Sequence, residues 1–355
     1  MRTKNKATIA LFYFLLAVFA VCDAKESSDP TIPAVPSLYP VMDSGVWADA
    51  LHNSFIYWLD NNRVLFKNSE EKEKAKHYRG RFNLSIWDIR TNKVTPYSEY
   101  AKSLSVCYRE GFIYYILTDE NKNQRRFAGE FGKEKPFVPP TAKNVRYNEM
   151  DCRFCADPAP AEKLEGPKRH DLRFLLHRHG YLDFGLSSES NLAKPTLYYR
   201  KGLDKPISLP FMNRDITYYQ FKDAYLFHPL GKEITGRDFL WLYPDGKTEE
   251  IKFPNVSDRK LVYGNKYYTR KGFFVYFYDG QPPSFKVPGN TGGYLVAEDG
   301  KSSKVISGYL KGIVVSPDGC KIAFVHYPYL DATLVADPAP ITLKMINFCT
   351  EEKSP

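Results

Sequence analysis

Short apolar spans alternate with polar turns along most of this chain, and many of the apolar residues are aromatic. Six such spans recur: FIYWLD at 55–60, FIYYILTD at 112–119, YLDFGL at 181–186, YLFHPL at 225–230, FFVYFYD at 273–279 and KIAFVHY at 321–327. Short runs of this length, rich in aromatic strand formers and bounded by turn or polar stretches, each predict a strand. A turn cue precedes each, as in Arg109-Glu110-Gly111, Arg178-His179-Gly180 and Pro317-Asp318-Gly319.

Behind each strand comes a hairpin pattern: 84–97, 127–138, 197–210, 240–254, 294–307 and 341–352. In most copies two strand-like runs flank a polar turn containing Gly, Asn or Asp, as hairpin geometry requires. The last copy lacks a clear turn and second strand. Successive aromatic strands stand roughly 45–70 residues apart, the shorter spacings matching propeller blades. No span has helical periodicity; the best candidate, EEKEKAKHY at 70–78, is nearly all charged. A parallel sheet would need amphipathic crossover helices, so the pattern predicts an all-β chain. Six units of three to four antiparallel strands predict a six-bladed β-propeller, with a paired β-sandwich as the alternative. The final unit is one strand short. The segment before it in space is expected from the N-terminal arm, with Ser37–Met42 closing the ring.

The first residues read as targeting. Arg2, Lys4 and Lys6 precede an apolar run, 7–22, which is short for a membrane span. Cleavage after Cys22-Asp23-Ala24 would release a chain beginning at Lys25. Alternatively, Phe19-Ala20-Val21-Cys22 resembles a lipobox, with Cys22 as the lipidated residue, although Val21 is bulky for that motif. A retained signal anchor is a third reading. The expected organisation is a signal peptide at 1–24, a proline-rich arm at 25–43, and a propeller over 44–355 with an insertion at 139–170. A second long loop is expected at 328–340. Long loops on a rigid scaffold are where binding residues concentrate.

The formal charge of +9 falls to +7 without the leader. Such a balance suits an anionic partner but is also common in exported proteins. No dense basic stripe interleaved with aromatics is present, so no nucleic-acid partner is expected. Membrane association is expected only through lipidation of Cys22.

An exported chain with six cysteines predicts disulfides. Antiparallel pairing across 328–340 would set Cys320 opposite Cys349, a cross-strand staple for the last unit. Cys107, in the strand LSVCY, is expected to bond Cys152 or Cys155 and tether the insertion, leaving one thiol spare. Cys152-Arg153-Phe154-Cys155 also has the spacing of a redox or metal pair, with Cys155 the candidate free or redox thiol.

Catalytic chemistry is sparse. His177 and His179 would project from one face of a strand, and with His170 or Asp183 form a weak candidate zinc site. No nucleophile elbow, HExxH, P-loop or dinucleotide fingerprint occurs, and no cofactor is expected. The acids Asp119, Glu120, Asp183, Asp215 and Asp279 offer no pairing legible in sequence. Tyr327, Tyr329, Trp241 and Tyr243 are candidate contact aromatics near loop ends. Asn83-Leu84-Ser85 and Asn255-Val256-Ser257 are glycosylation sequons, relevant only in a glycosylating host.

Val315-Ser316-Pro317-Asp318-Gly319-Cys320-Lys321-Ile322-Ala323-Phe324 resembles the SPDGxxIAF blade signature of the TolB-like and WD40-like propellers common in bacterial envelopes. Pro-Asp-Gly would make the tight turn, with Ile322 and Phe324 pointing between blades. Trp87-Asp88 ends a strand as in WD repeats. The likeness covers about ten residues and occurs clearly once. It implies the fold and a role as an envelope scaffold or binding protein, and it transfers no catalytic residue. The expected function is therefore a non-enzymatic, exported propeller that binds an envelope protein, peptide or glycan. The alternatives are an envelope hydrolase or lyase with an acid/histidine or metal site at the channel, and a lipidated subunit of an envelope complex.

Overall fold

The computed structural model describes residues 39–48, 55–69, 81–109, 111–136, 174–176, 180–185, 196–200, 207–209, 216–227, 238–243, 245, 247–279, 289–327 and 341–349, with backbone alone at 109, over 174–209 and at 216. All of them belong to one unit, Ser37–Pro355. They form six four-stranded antiparallel sheets. Sheet I holds β2 (Ile56–Trp58), β3 (Arg63–Ser69), β4 (Phe82–Asp88) and β5 (Lys93–Pro96). Sheet II holds β6 (Ser103–Arg109), β7 (Phe112–Thr118), β8 (Gln124–Glu130) and β9 (Lys135–Pro136). Sheet III holds β10 (Phe174–Leu176), β11 (Gly180–Gly185), β12 (Thr196–Arg200) and β13 (Ile207–Leu209). Sheet IV holds β14 (Ile216–Tyr219), β15 (Ala224–Phe227), β16 (Asp238–Leu242) and β17 (Thr248–Lys252). Sheet V holds β18 (Asn265–Thr269), β19 (Gly272–Phe277), β20 (Gly292–Val296) and β21 (Ser302–Ser307). Sheet VI joins the two ends of the chain. β22 (Tyr309–Val315), β23 (Lys321–Tyr327) and β24 (Thr342–Asn347) are completed at the edge by β1 (Val41–Trp47).

The β1 pairing places Val41 opposite Ile346 and Met42 opposite Met345, with an irregularity between Asp43 and Trp47. The strand starts later than the expected Ser37–Met42 and runs through the boundary read at residue 43. Its Asp43 carboxylate accepts a bond from Thr342 at 3.0 Å and lies 3.5 Å from the Lys344 ammonium, which fixes register across the pair.

Alternate residues of a strand bury themselves against different neighbours. On β3, Val64 and Phe66 pack with sheet VI, whereas Leu65 packs with sheet II. On β23, Ala323 and Val325 face sheet I, whereas Ile322 and Phe324 face sheet V. On β19, Phe273 and Val275 face sheet IV, and Phe274 faces sheet VI. Two-sided burial is the opposite of a sandwich, in which each sheet has one wet face. It also explains why these strands read as nearly continuous apolar runs. Each fully buried aromatic, such as Phe66 or Phe324, contributes roughly 1.5–3 kcal/mol of transfer free energy.

First strands of neighbouring sheets are also bonded directly. Trp58 Nε1 donates to the Val314 carbonyl (3.2 Å), the Tyr57 hydroxyl to the Val106 carbonyl (3.2 Å), and the Tyr268 N–H to the Tyr219 hydroxyl (3.0 Å). Face-to-face sheets whose first strands converge are the packing of a β-propeller.

The first repeat corrects the sequence reading. FIYWLD supplies only the short first strand β2, while RVLFKNS forms the second strand, the place held by aromatic spans in the other sheets. Second strands then begin at Arg63, Phe112, Gly180, Ala224, Gly272 and Lys321, a more even series. The cause is composition: RVLFKNS carries a single aromatic, Phe66, and ends in the polar residues Lys67, Asn68 and Ser69, so it lacks the aromatic-rich cue.

Candidate functional site

Sheets IV and V meet along an aromatic seam. Doubled tyrosines on β18 split between two interfaces, Tyr267 toward sheet VI and Tyr268 toward sheet IV. Tyr268 lies edge-on to Trp241 (5.3 Å) and to Phe273 (5.1 Å); Phe273 in turn meets Phe253 and Phe239, each at 5.2 Å. Edge-to-face contacts at these distances are favourable for the ring quadrupoles. The seam opens into a cleft of about 860 Å³ with Phe253, Tyr268 and Phe273 among its walls.

Charge surrounds this apolar floor. Asp238, Glu249 and Glu298 supply carboxylates, and Lys222 and Lys252 supply ammonium groups. Glu249 accepts a bond from the Tyr243 hydroxyl at 2.5 Å. Burial, followed by that carboxylate, pushes the Tyr243 phenol up to about 12. Burial also raises the Tyr268 phenol, with Glu298 and Glu249 adding to it, so both carboxylates are felt at this ring. Phenols held protonated remain donors throughout the ordinary pH range. Phe253 and Phe273 are buried and back the half-buried Tyr268, so the arrangement can pack one apolar face of a ligand on that ring and bond its hydroxyls, amides or amines to the rim.

A different cluster sits where the first turns of sheets IV, V and VI meet. Arg270 donates its N–H to the Gly319 carbonyl (2.9 Å) and Nε to the Asp318 carbonyl (2.5 Å). Its guanidinium lies over the Phe221 ring at 5.6 Å. Gly319 has φ +73°, and a Cβ there would come within 2.7 Å of that ring, so the turn demands glycine twice over. Arg270 is thus spent on structure.

Beside the cleft, Lys266 is buried. Its ammonium donates to the carbonyls of Val262 (2.6 Å) and Gly264 (3.1 Å), capping the 3-10 turn Arg259–Tyr263. The ring of Phe253 lies 5.0 Å away. Desolvation lowers its pKa to about 8.

Most sequence-derived candidates take other roles or fall elsewhere. Cys320 and Cys349 form a disulfide with Cα atoms 5.2 Å apart. The register differs by one residue from expectation: Lys321 lies opposite Asn347, and the Cys320 carbonyl accepts from Phe348 N–H, so the bridge runs diagonally. Cys107, buried on β6, is disulfide-bonded to a partner outside the described residues. Cys22, Cys152, Cys155, His170, His177, His179 and Tyr329 also lie outside them. Asp183 is placed only by backbone, opposite Tyr198.

Asp119 caps the β7–β8 turn through Asn121 and Asn123 N–H groups at 2.8 and 2.9 Å. Trp241 and Tyr327 are buried in the core, which corrects their reading as contact aromatics; exposed aromatics among the described residues include Tyr263, 84% accessible, and Tyr278. Ile322 and Phe324 point between sheets as expected, and Trp87 is fully buried. Sequence reasoning missed Tyr268, Glu249 and Glu298. The doubled tyrosine in NKYYT was the only local cue, and nothing local joins β17 to the β20–β21 turn.

Among the described residues no group of three or more metal-ligating side chains gathers. No protein-family model and no curated protein sequence matches the chain. Similar solved structures include a chain of the mitotic checkpoint complex, 9% identical over 87% of this chain and 93% of that one, with a TM-score of 0.35. A gluconolactonase from Xanthomonas campestris is 11% identical over 88% and 99%, at 0.32. The β-propeller domain of the trilobed protease from Pyrococcus furiosus is 13% identical over 78% and 80%, at 0.28. These values choose between neither binding and catalysis nor one substrate and another.

Proposed function

We propose that the six sheets close into a six-bladed β-propeller, with β1 as the outer strand of the last blade. In this reading the chain is exported and acts, without catalysis, as a binding scaffold for a glycan, peptide or protein of the cell envelope. The cleft between sheets IV and V is its best-described ligand surface. The observation that carries the reading is the half-buried Tyr268 ring set within a rim of both charge signs in a volume of about 860 Å³. A sugar ring or peptide backbone matches such a surface, because apolar faces and polar edges alternate along both.

The test is binding of the purified, disulfide-intact chain to glycan and peptide arrays, followed by the Glu298→Gln variant. Glu298 is exposed, so its stability should change by no more than about 0.5 kcal/mol. Affinity for any ligand that uses the cleft should fall several-fold. Equal affinity in wild type and variant, for every ligand found, would remove the cleft from the proposal.

A further inference from the structure

The two sequons have opposite structural fates. Asn83 lies on the interior strand β4, opposite Asn68, and is 0% exposed. Its Oδ1 accepts from the Ser85 hydroxyl at 3.2 Å, and that hydroxyl accepts from Asn68 Nδ2 at 3.3 Å. Asn83 Nδ2, the atom that would bear a sugar, is buried without a partner. Ser85, the third residue of the sequon, is also 0% exposed. No saccharide fits there while β4 remains paired between β3 and β5.

Asn255 stands in an irregular segment between β17 and the 3-10 turn Arg259–Tyr263. It and Ser257 are exposed, while Phe253 and Val256 are buried on either side of Asn255. The segment is thus anchored by Phe253 and Val256 with Asn255 exposed between them, on a surface connection where a bulky solubilising group costs little.

We infer that Asn255, and not Asn83, carries the N-linked glycan of the folded chain whenever it is exported through a pathway that modifies Asn-X-Ser/Thr. The inference rests on the proposed export. The chemistry is transfer of an oligosaccharide from a lipid-linked diphosphate donor: a C–N bond forms at Asn255 Nδ2, which loses a proton, and the lipid diphosphate leaves. Asn255 also lines the cleft, so this glycan stands at its mouth and would compete with a ligand there.

The full chain is expressed in insect or mammalian secretory cells in two forms, with its own leader and with residues 1–24 replaced by a strong heterologous leader. Appearance in the medium under its own leader reports on export. Glycan position is read on the second form, in medium protein whose Cys320–Cys349 bridge is intact, by enzymatic deglycosylation and peptide mapping, which leaves Asp at each modified Asn. The expected result is Asp at 255 and unchanged Asn at 83, one glycan's mass shift, and loss of that shift in Ser257→Ala. Asn255 unmodified in the secreted, folded chain, or Asn83 modified in it, overturns the inference. A native-leader form found neither in the medium nor attached to the outer cell surface or the lumenal face of a membrane overturns the export reading and leaves the glycan assignment standing.

Discussion

Sheet VI holds a partly buried charge and the junction beside the cleft a buried one, and they stabilise it in opposite ways. Asp318, in the turn before β23, accepts bonds from the Ser316 hydroxyl (2.5 Å), the Cys320 N–H (2.9 Å) and the Lys321 ammonium (2.8 Å). Burial pushes its carboxyl up, but these three partners together hold it below the ordinary value. Lys266 has only two carbonyls and a ring, and desolvation wins. A charge with a counter-ion and an N–H stabilises the ionised fold, whereas a charge answered by dipoles alone stays costly. The first belongs to the sheet that must tie two chain ends together. The second caps a 3-10 turn inside one continuous connection.

The largest break in that contrast is removal of the staple in sheet VI. Cys320 and Cys349 are 29 residues apart, and a loop of that size predicts a loss of about 3–4 kcal/mol in the double alanine variant. Urea unfolding of oxidised wild type against the variant measures it; an unchanged midpoint would mean that β1 pairing alone holds the last sheet.

Next in size is the buried lysine. Its folded pKa of about 8 lies below its unfolded value, so between the two the unfolded chain holds the extra proton and stability rises with pH. From pH 8 to about 10 the rise attributable to Lys266 should be on the order of 2 kcal/mol. It should appear as the difference between wild type and Lys266→Met, since ionising tyrosines affect both chains alike. Parallel pH profiles would show that water reaches the ammonium.

Asp318 gives the smallest effect, with a slope of the same sign displaced to acid, because its folded pKa is also lowered. Asp318→Asn should cost about 1–2 kcal/mol at neutral pH through lost charge-assisted bonds. A carboxyl with a depressed folded pKa stabilises above its unfolded value and loses this as pH falls through the folded one. The gap between wild type and variant should therefore close in acid, below about pH 4. A gap independent of pH would assign the cost to turn geometry alone.

Legibility in the sequence followed the range of each interaction. Hairpins were readable because a Gly, Asn or Asp turn and its flanking strands lie within a dozen residues, as in 84–97 and 294–307. The Cys320–Cys349 bridge was readable because its two strands are sequence neighbours. The FIYWLD misreading arose because RVLFKNS carries one aromatic and ends in polar residues, of which Asn68 and Ser69 are buried only once the sheets pack. The buried fate of Asn83 was hidden for the same reason, since its neighbours Asn68 and Ser85 are polar in sequence and interior only once the sheets pack.

The chain's own pattern of short apolar spans and polar turns determined an all-β architecture of repeating antiparallel sheets, because strand period and turn chemistry are local properties. Tertiary structure decided which aromatics are core, which sequon faces water, and that Tyr268, Glu249 and Glu298 share a cleft. Those facts depend on how one sheet's face meets the next, and no single segment encodes its neighbour across an interface.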